Sequence, residues 1–249
     1  GGDGSVLQQF TSDSSAAEAQ DLPVLPAESG QNRVHWGLRT DGVNTVDDAV
    51  VWGYTGGPKV APGTYTVRLA SADGDTLRRS LDVEMDPRIE DVTSAELRAQ
   101  HDLATSIRDT TNAIYDAIRT IRSVREQVRS VAEHASTAGH DALTTRADSI
   151  ASELTSIEER LMQTENESFQ DPLNFPPQLD NQYAYLYGFV AGPDGPPTAS
   201  ARERFRDLNE QWDALRNRLQ SVLQSDVPQF NQRVRALDSN PVFVPAVGE

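Results

Sequence analysis

Between Ser94 and about Ser136 the apolar residues recur in sevens. Ile107, Ile114, Ile121 and Val128 share one register, and Leu103, Thr110, Ala117, Val124 and Val131 share the register three residues after each step. Arg, Asp, Glu and Ser fill the other positions. A seam held over about five heptads predicts one long helix, roughly 60 Å at about 1.5 Å per residue. Thr93 and Glu96 stand three apart before it, the spacing of a capping box. Ala138-Gly139-His140 interrupts the pattern. A second helix is predicted from about Asp141 to Thr164, with Leu143, Ala147, Ile150, Leu154, Ile157 and Leu161 on one face. A third is predicted after the Thr198 cap, carrying Ala201, Phe205, Leu208, Trp212, Leu215, Leu219 and Val222. Pro228 predicts a kink or restart near Ser225, followed by a last helical piece with Phe230, Val234 and Leu237 and an extended tail from Pro241. Ile118 and Ala104 widen the first seam beyond strict a/d positions, so the helices are expected to pack within one molecule.

Before residue 88 the period is two. Val6–Thr11 reads as a short strand after an Asp3-Gly4 turn, and residues 12–30 as a loop. An Asp-Gly turn normally joins two strands, so the chain is expected to be a piece of something longer. Val34, Trp36 and Leu38 alternate with polar neighbours as in a half-buried strand. Residues 40–62 are rich in glycine and proline and read as a long irregular connection. Tyr65, Val67 and Leu69 point one way in Thr64–Ser71. Asp73-Gly74 turns the chain, and Thr76–Met85 returns with Leu81, Val83 and Met85 inward. Trp36 and Tyr65 are expected in a core.

The expected fold is a multi-domain α+β chain. Residues 1–88 would form a small, incomplete immunoglobulin-like antiparallel β-sandwich. Residues 89–249 would form an up-down-up three-helix bundle with long helices, interrupted by a proline- and aromatic-rich insertion at 165–197. Within that insertion Asp180–Val190 can form a short helix, with Tyr183, Leu186, Tyr187 and Val190 on one face.

Charge narrows the partners. The 249 residues carry a formal net charge of -16, and Lys59 is the one lysine. Such acidity disfavours nucleic acid and anionic membrane surfaces. No apolar run reaches the roughly 18 residues of a membrane span. The absence of cysteine excludes disulfides, thiolate metal sites and cysteine nucleophiles.

Catalytic, cofactor and metal chemistry find no constellation. Gly53–Val60 glances at a phosphate loop, but Pro58 separates glycine from Lys59 and Val60 stands where Ser or Thr is needed. His134 and His140 bracket a helix end without a third ligand at metal spacing. Glu153, Glu158 and Glu159 are expected on a solvated helix exterior, and Asp73, Asp75 and Asp82 belong to a hairpin. Two features remain as candidate ligand or interface positions. Trp52 and Tyr54, in a glycine-rich loop, could stack on a sugar, contact a neighbouring domain or pack locally. Phe175, Tyr183 and Tyr187 belong to a stretch that reads either as a lid across the bundle end or as a partner-binding patch.

The runs Asn32-Arg33-Val34-His35-Trp36-Gly37-Leu38-Arg39, Gly57-Pro58, Ala61-Pro62-Gly63-Thr64-Tyr65-Thr66-Val67 and Met85-Asp86-Pro87-Arg88 occur in that order. They are followed by Asp171-Pro172-Leu173-Asn174-Phe175-Pro176-Pro177 and Leu179-Asp180-Asn181-Gln182. Together they resemble the C-terminal region of large bacterial exported proteins whose N-terminal part is a BNR-repeat, sortilin-like β-propeller, often labelled glycosyl hydrolases. The family commonly has Asp where Gly37 stands. The resemblance implies export and an upstream propeller as partner, and the hydrolase label would belong to that propeller. The expected function is a non-catalytic accessory module for docking, spacing or protein interaction. The alternatives are a carbohydrate-binding sandwich using Trp52 and Tyr54, and a helical oligomerisation module.

Overall fold

The structure is a computed structural model that describes residues 4–20, 22–236 and 242–245. Asp3, Leu237 and Pro241, which figure in the expectations above, lie outside the described residues. The chain is mixed α and β, with a small two-stranded antiparallel sheet beside long helices. Contacts group the residues otherwise than a division at residue 88. Among the described residues one compact unit comprises 4–20, 22–42, 56–105 and 190–197, and the other 43–55, 106–189, 198–236 and 242–245.

In the first unit, β1 (Gly63–Ala70) and β2 (Thr76–Val83) form a hairpin with Tyr65 opposite Leu81, Val67 opposite Arg79 and Leu69 opposite Leu77. Period-two patterning puts these six on one face and the Thr, Ser, Arg and Asp partners on the other. The strands expected at Val6–Thr11 and Val34–Leu38 do not form. Among the described residues Thr11 makes an isolated bridge with Val24, and Arg39, one position past the second stretch, makes one with Lys59. Their partner segments are broken by Pro23, Pro26, Pro58 and Pro62, which have no N–H to extend a ladder. Leu38 also turns through a left-handed φ of 54°. Part of the expected loop at 12–30 is instead helical, α1 (Ser14–Gln20), because the Asp13 carboxylate accepts from the N–H groups of Ser15 and Ala16. Trp36 and Tyr65 are half-buried rather than core. Their rings meet edge-on at 6.3 Å, and the Trp36 indole donates to the Arg39 carbonyl.

The long seam is observed as α2 (Ser94–Thr137). Its capping box closes as expected, with the Thr93 N–H donating to Glu96 Oε2 at 2.8 Å and the Glu96 N–H to Thr93 Oγ1 at 3.3 Å. Residues up to Thr105 belong to the first unit. There the Gln100 amide donates to the carbonyls of Val190 and Pro193.

From Ser106 onward α2 belongs to the second unit with α3 (Asp141–Leu161), α4 (Leu179–Ala191), α5 (Ala199–Ser221) and α6 (Val227–Arg235), the last two residues of α4 excepted. Ile107, Ile114, Ile118, Ile121, Val124 and Val128 are fully buried, as are Leu154, Ile157 and Leu161 of α3. Side-chain pairs give the directions. Arg122 and Arg125 of α2 reach Glu158 of α3, and Arg125 also reaches Thr155. Arg218 of α5 meets Glu153, and Arg146 meets Asp226. Rising numbers on α3 pair with falling numbers on α5 and beyond, so these helices run antiparallel; the Arg125 contacts one turn apart place α2 antiparallel to α3 in the same way. The restart near Ser225 is a single π-helical stretch, Val222–Asp226, which leads into α6 with Pro228 in its first turn. Among the described residues no helix is long and apolar enough to cross a membrane.

Candidate functional site

Residues 43–55, expected to be an irregular connection, form a strap laid on the helices of the second unit. Its near end is held by α2: the Asn44 N–H donates to Asn112 Oδ1 at 2.8 Å, and Arg119 donates to the carbonyls of Asn44 and Thr45. Arg122 then grips Asp48 at 2.6 and 2.8 Å with one side of its guanidinium and Glu158 with the other. This pairing holds the Asp48 carboxyl below its ordinary pKa. Glu158, expected on a solvated exterior, is buried and shared between Arg122 and Arg125. A carboxylate removed from water needs such partners.

The far end of the strap is held by α4. Asn181 is buried, accepts from the Trp52 N–H at 2.7 Å and donates to the Val50 carbonyl at 3.1 Å. The Tyr54 N–H donates to the Ala184 carbonyl at 3.2 Å. This approach requires glycine at 53, where a Cβ would lie 2.6 Å from the Ala184 carbonyl carbon. Asp180, beside Asn181, is fully buried. It accepts from the Tyr115 hydroxyl at 3.2 Å and from the Asn181 N–H at 2.6 Å. Burial pushes its pKa up to about 6, and these hydrogen bonds only partly offset the rise.

The aromatic candidates separate. Tyr183 and Tyr187 lie inside the unit with no exposed surface. The Tyr183 hydroxyl donates to Asn209 Oδ1 at 2.7 Å, and its ring meets Phe205 edge-on. Tyr54 stacks obliquely on Tyr187 at 5.0 Å. Phe175 is half-buried at the end of a one-turn 3₁₀ helix, Asp171–Leu173. Trp52 packs on Phe169 at 5.7 Å and donates its indole N–H to the Phe169 carbonyl. Trp52 and Tyr54 therefore face different neighbours and form no shared platform.

Of these candidates Trp52 alone lines a cavity of about 480 Å³, walled further by Pro172, Pro177, Tyr185, Leu186 and Phe189. Gln182, Ser200 and Arg204 line the same cavity with polar groups. Tyr185 and Phe189 are 76% and 58% exposed. Both belong to the stretch expected as a lid or a partner-binding patch, though neither is among the candidate positions named from the sequence, and nor is Arg204. The signal was present in α4, where Tyr183 and Tyr187 occupy one helical face while Tyr185 and Phe189, also four apart, occupy another.

No family model, curated protein or solved structure matches the chain. Among the described residues no group of three or more His, Asp or Glu side chains is placed to hold a metal ion.

Proposed function

We propose that this chain is a non-catalytic accessory module of a larger exported β-propeller protein, docking on the upstream propeller domain through its β-hairpin. One observation carries this reading. The β1–β2 hairpin has an apolar face left in water, with Val67, Leu69 and Leu77 51%, 57% and 62% exposed. An isolated two-stranded hairpin is marginal in water and gains stability when such a face is covered. On this reading the hairpin is half of an incomplete immunoglobulin-like sandwich, and the partner domain supplies the cover. The helical unit then serves as an up-down-up three-helix bundle, a stiff spacer. The use of buried Glu158 and Asp180 as structural partners supports a scaffolding role over a chemical one. The order of the motifs from Asn32-Arg33 to Leu179-Asp180 supports the propeller parent.

Hydrogen exchange tests the docking. Amides of residues 63–83 should exchange fast in this chain and slowly in the longer propeller-bearing protein. Leu69→Asp should abolish that protection while leaving the melting temperature of this chain unchanged. Equal exchange in the two proteins would refute the reading.

A further inference from the structure

We propose that the cavity beside α4 and α5 binds a small carboxylic acid bearing a bulky apolar group, with Arg204 holding the carboxylate. The size suits a small ligand: about 480 Å³ lies within the range of small-molecule pockets, roughly 300–1,000 Å³. The walls select an apolar body. Trp52, Pro177, Leu186 and Phe189 offer ring faces and aliphatic surface, and Tyr185 and Phe189 are mostly exposed. Covering two exposed aromatic rings of one helical face removes apolar area from water and is favourable.

The polar end selects an anion. Arg204 lies one turn after Ser200 on α5, and its guanidinium donates to Gln182 Oε1 at 2.7 Å. Among the described residues it pairs with no carboxylate. Its remaining N–H groups can take both oxygens of a carboxylate side by side. Gln182 orients the fork, and Ser200 in the first turn of α5 adds a hydroxyl at the positive end of that helix. A cationic ligand would meet the same ring faces but be repelled by Arg204. A sugar would find few polar partners for its hydroxyls.

Titration of the full chain with 3-phenylpropionate, followed by calorimetry and by ligand-observed NMR, tests this. One saturating site with a Kd near or below roughly 1 mM is expected. The uncharged 3-phenylpropionamide should bind about tenfold more weakly, and Arg204→Gln should weaken the acid by about tenfold, since a charge-assisted bidentate contact is lost. Arg204 is exposed, so this variant should keep the parent melting temperature and separate lost binding from lost folding. Phe189→Ser, also at an exposed position, should weaken acid and amide alike. Absence of saturation, equal affinity for acid and amide, or unchanged binding by Arg204→Gln would overturn the proposal. So would preferential binding of choline or methyl glucoside. Binding of a Gly-Gly-Phe peptide without binding of the small acid would make the occupant a peptide and also overturn it.

Discussion

Asp180 makes the pH dependence of stability a sharp test of the second unit's interior. Its carboxyl is buried, accepts from the Tyr115 hydroxyl and the Asn181 N–H, and has a pKa raised to about 6 against an ordinary 3.8. Below the lower value both folded and unfolded chains hold the proton, so the residue makes no pH-dependent difference. Between the two values the unfolded chain releases its proton while the folded chain keeps it, so stability falls as pH rises. Above about 6 the cost is complete. Two pKa units correspond to ~3 kcal/mol, at about 1.36 kcal/mol per unit. Asp180→Asn removes the titration and keeps one oxygen for the Asn181 N–H, while its amide NH2 replaces the oxygen that faced Tyr115 and can donate to that hydroxyl. Urea unfolding of wild type and variant at steps from pH 4 to pH 7 isolates the effect, because every other titrating group is common to both. The variant should gain relative to wild type across this range, by roughly 2 kcal/mol between the two ends. A stability difference that stays constant within about 0.5 kcal/mol would refute the assignment of a buried, late-ionising carboxyl.

Ile121, fully buried in the α2 seam, should cost ~2–5 kcal/mol on substitution by Ala in the same unfolding assay, and a shift within about 0.5 kcal/mol would place it on the surface. Glu158→Ala should cost ~3–5 kcal/mol, because it leaves Arg122 and Arg125 without their shared partner in a part-buried site, while Glu159→Ala next to it should be nearly silent. Gly53→Ala should cost ~1–3 kcal/mol by forcing the strap away from the Ala184 backbone. Hydrogen exchange should then speed up over residues 43–55 and stay slow around Ile121.

Much of the helical part was legible as a linear pattern. A heptad seam needs only spacing, and a capping box needs only Thr93 and Glu96 three apart; both reappear in α2. Pro228 announced the restart, because a residue without an N–H must sit in the first turn of a new helix. Period-two patterning likewise placed the β1–β2 hairpin. It failed at Val6–Thr11 and Val34–Leu38 because a strand exists only when a second segment can pair with it. There the partner stretches carry prolines. The short α1 was missed although Asp13 before Ser14-Ser15-Ala16-Ala17 is a local capping signal.

By itself, then, the sequence determined which stretches coil and where they start and stop, since those choices depend on neighbours a few positions apart. Tertiary structure alone decided that residues 43–55 lie on α2 and α4, that Glu158 is buried between two arginines, and that Tyr183 and Tyr187 are covered while Tyr185 and Phe189 stand at a cavity with Arg204. Those outcomes depend on partners from dozens to more than a hundred positions away. Nothing in local spacing marks such partners.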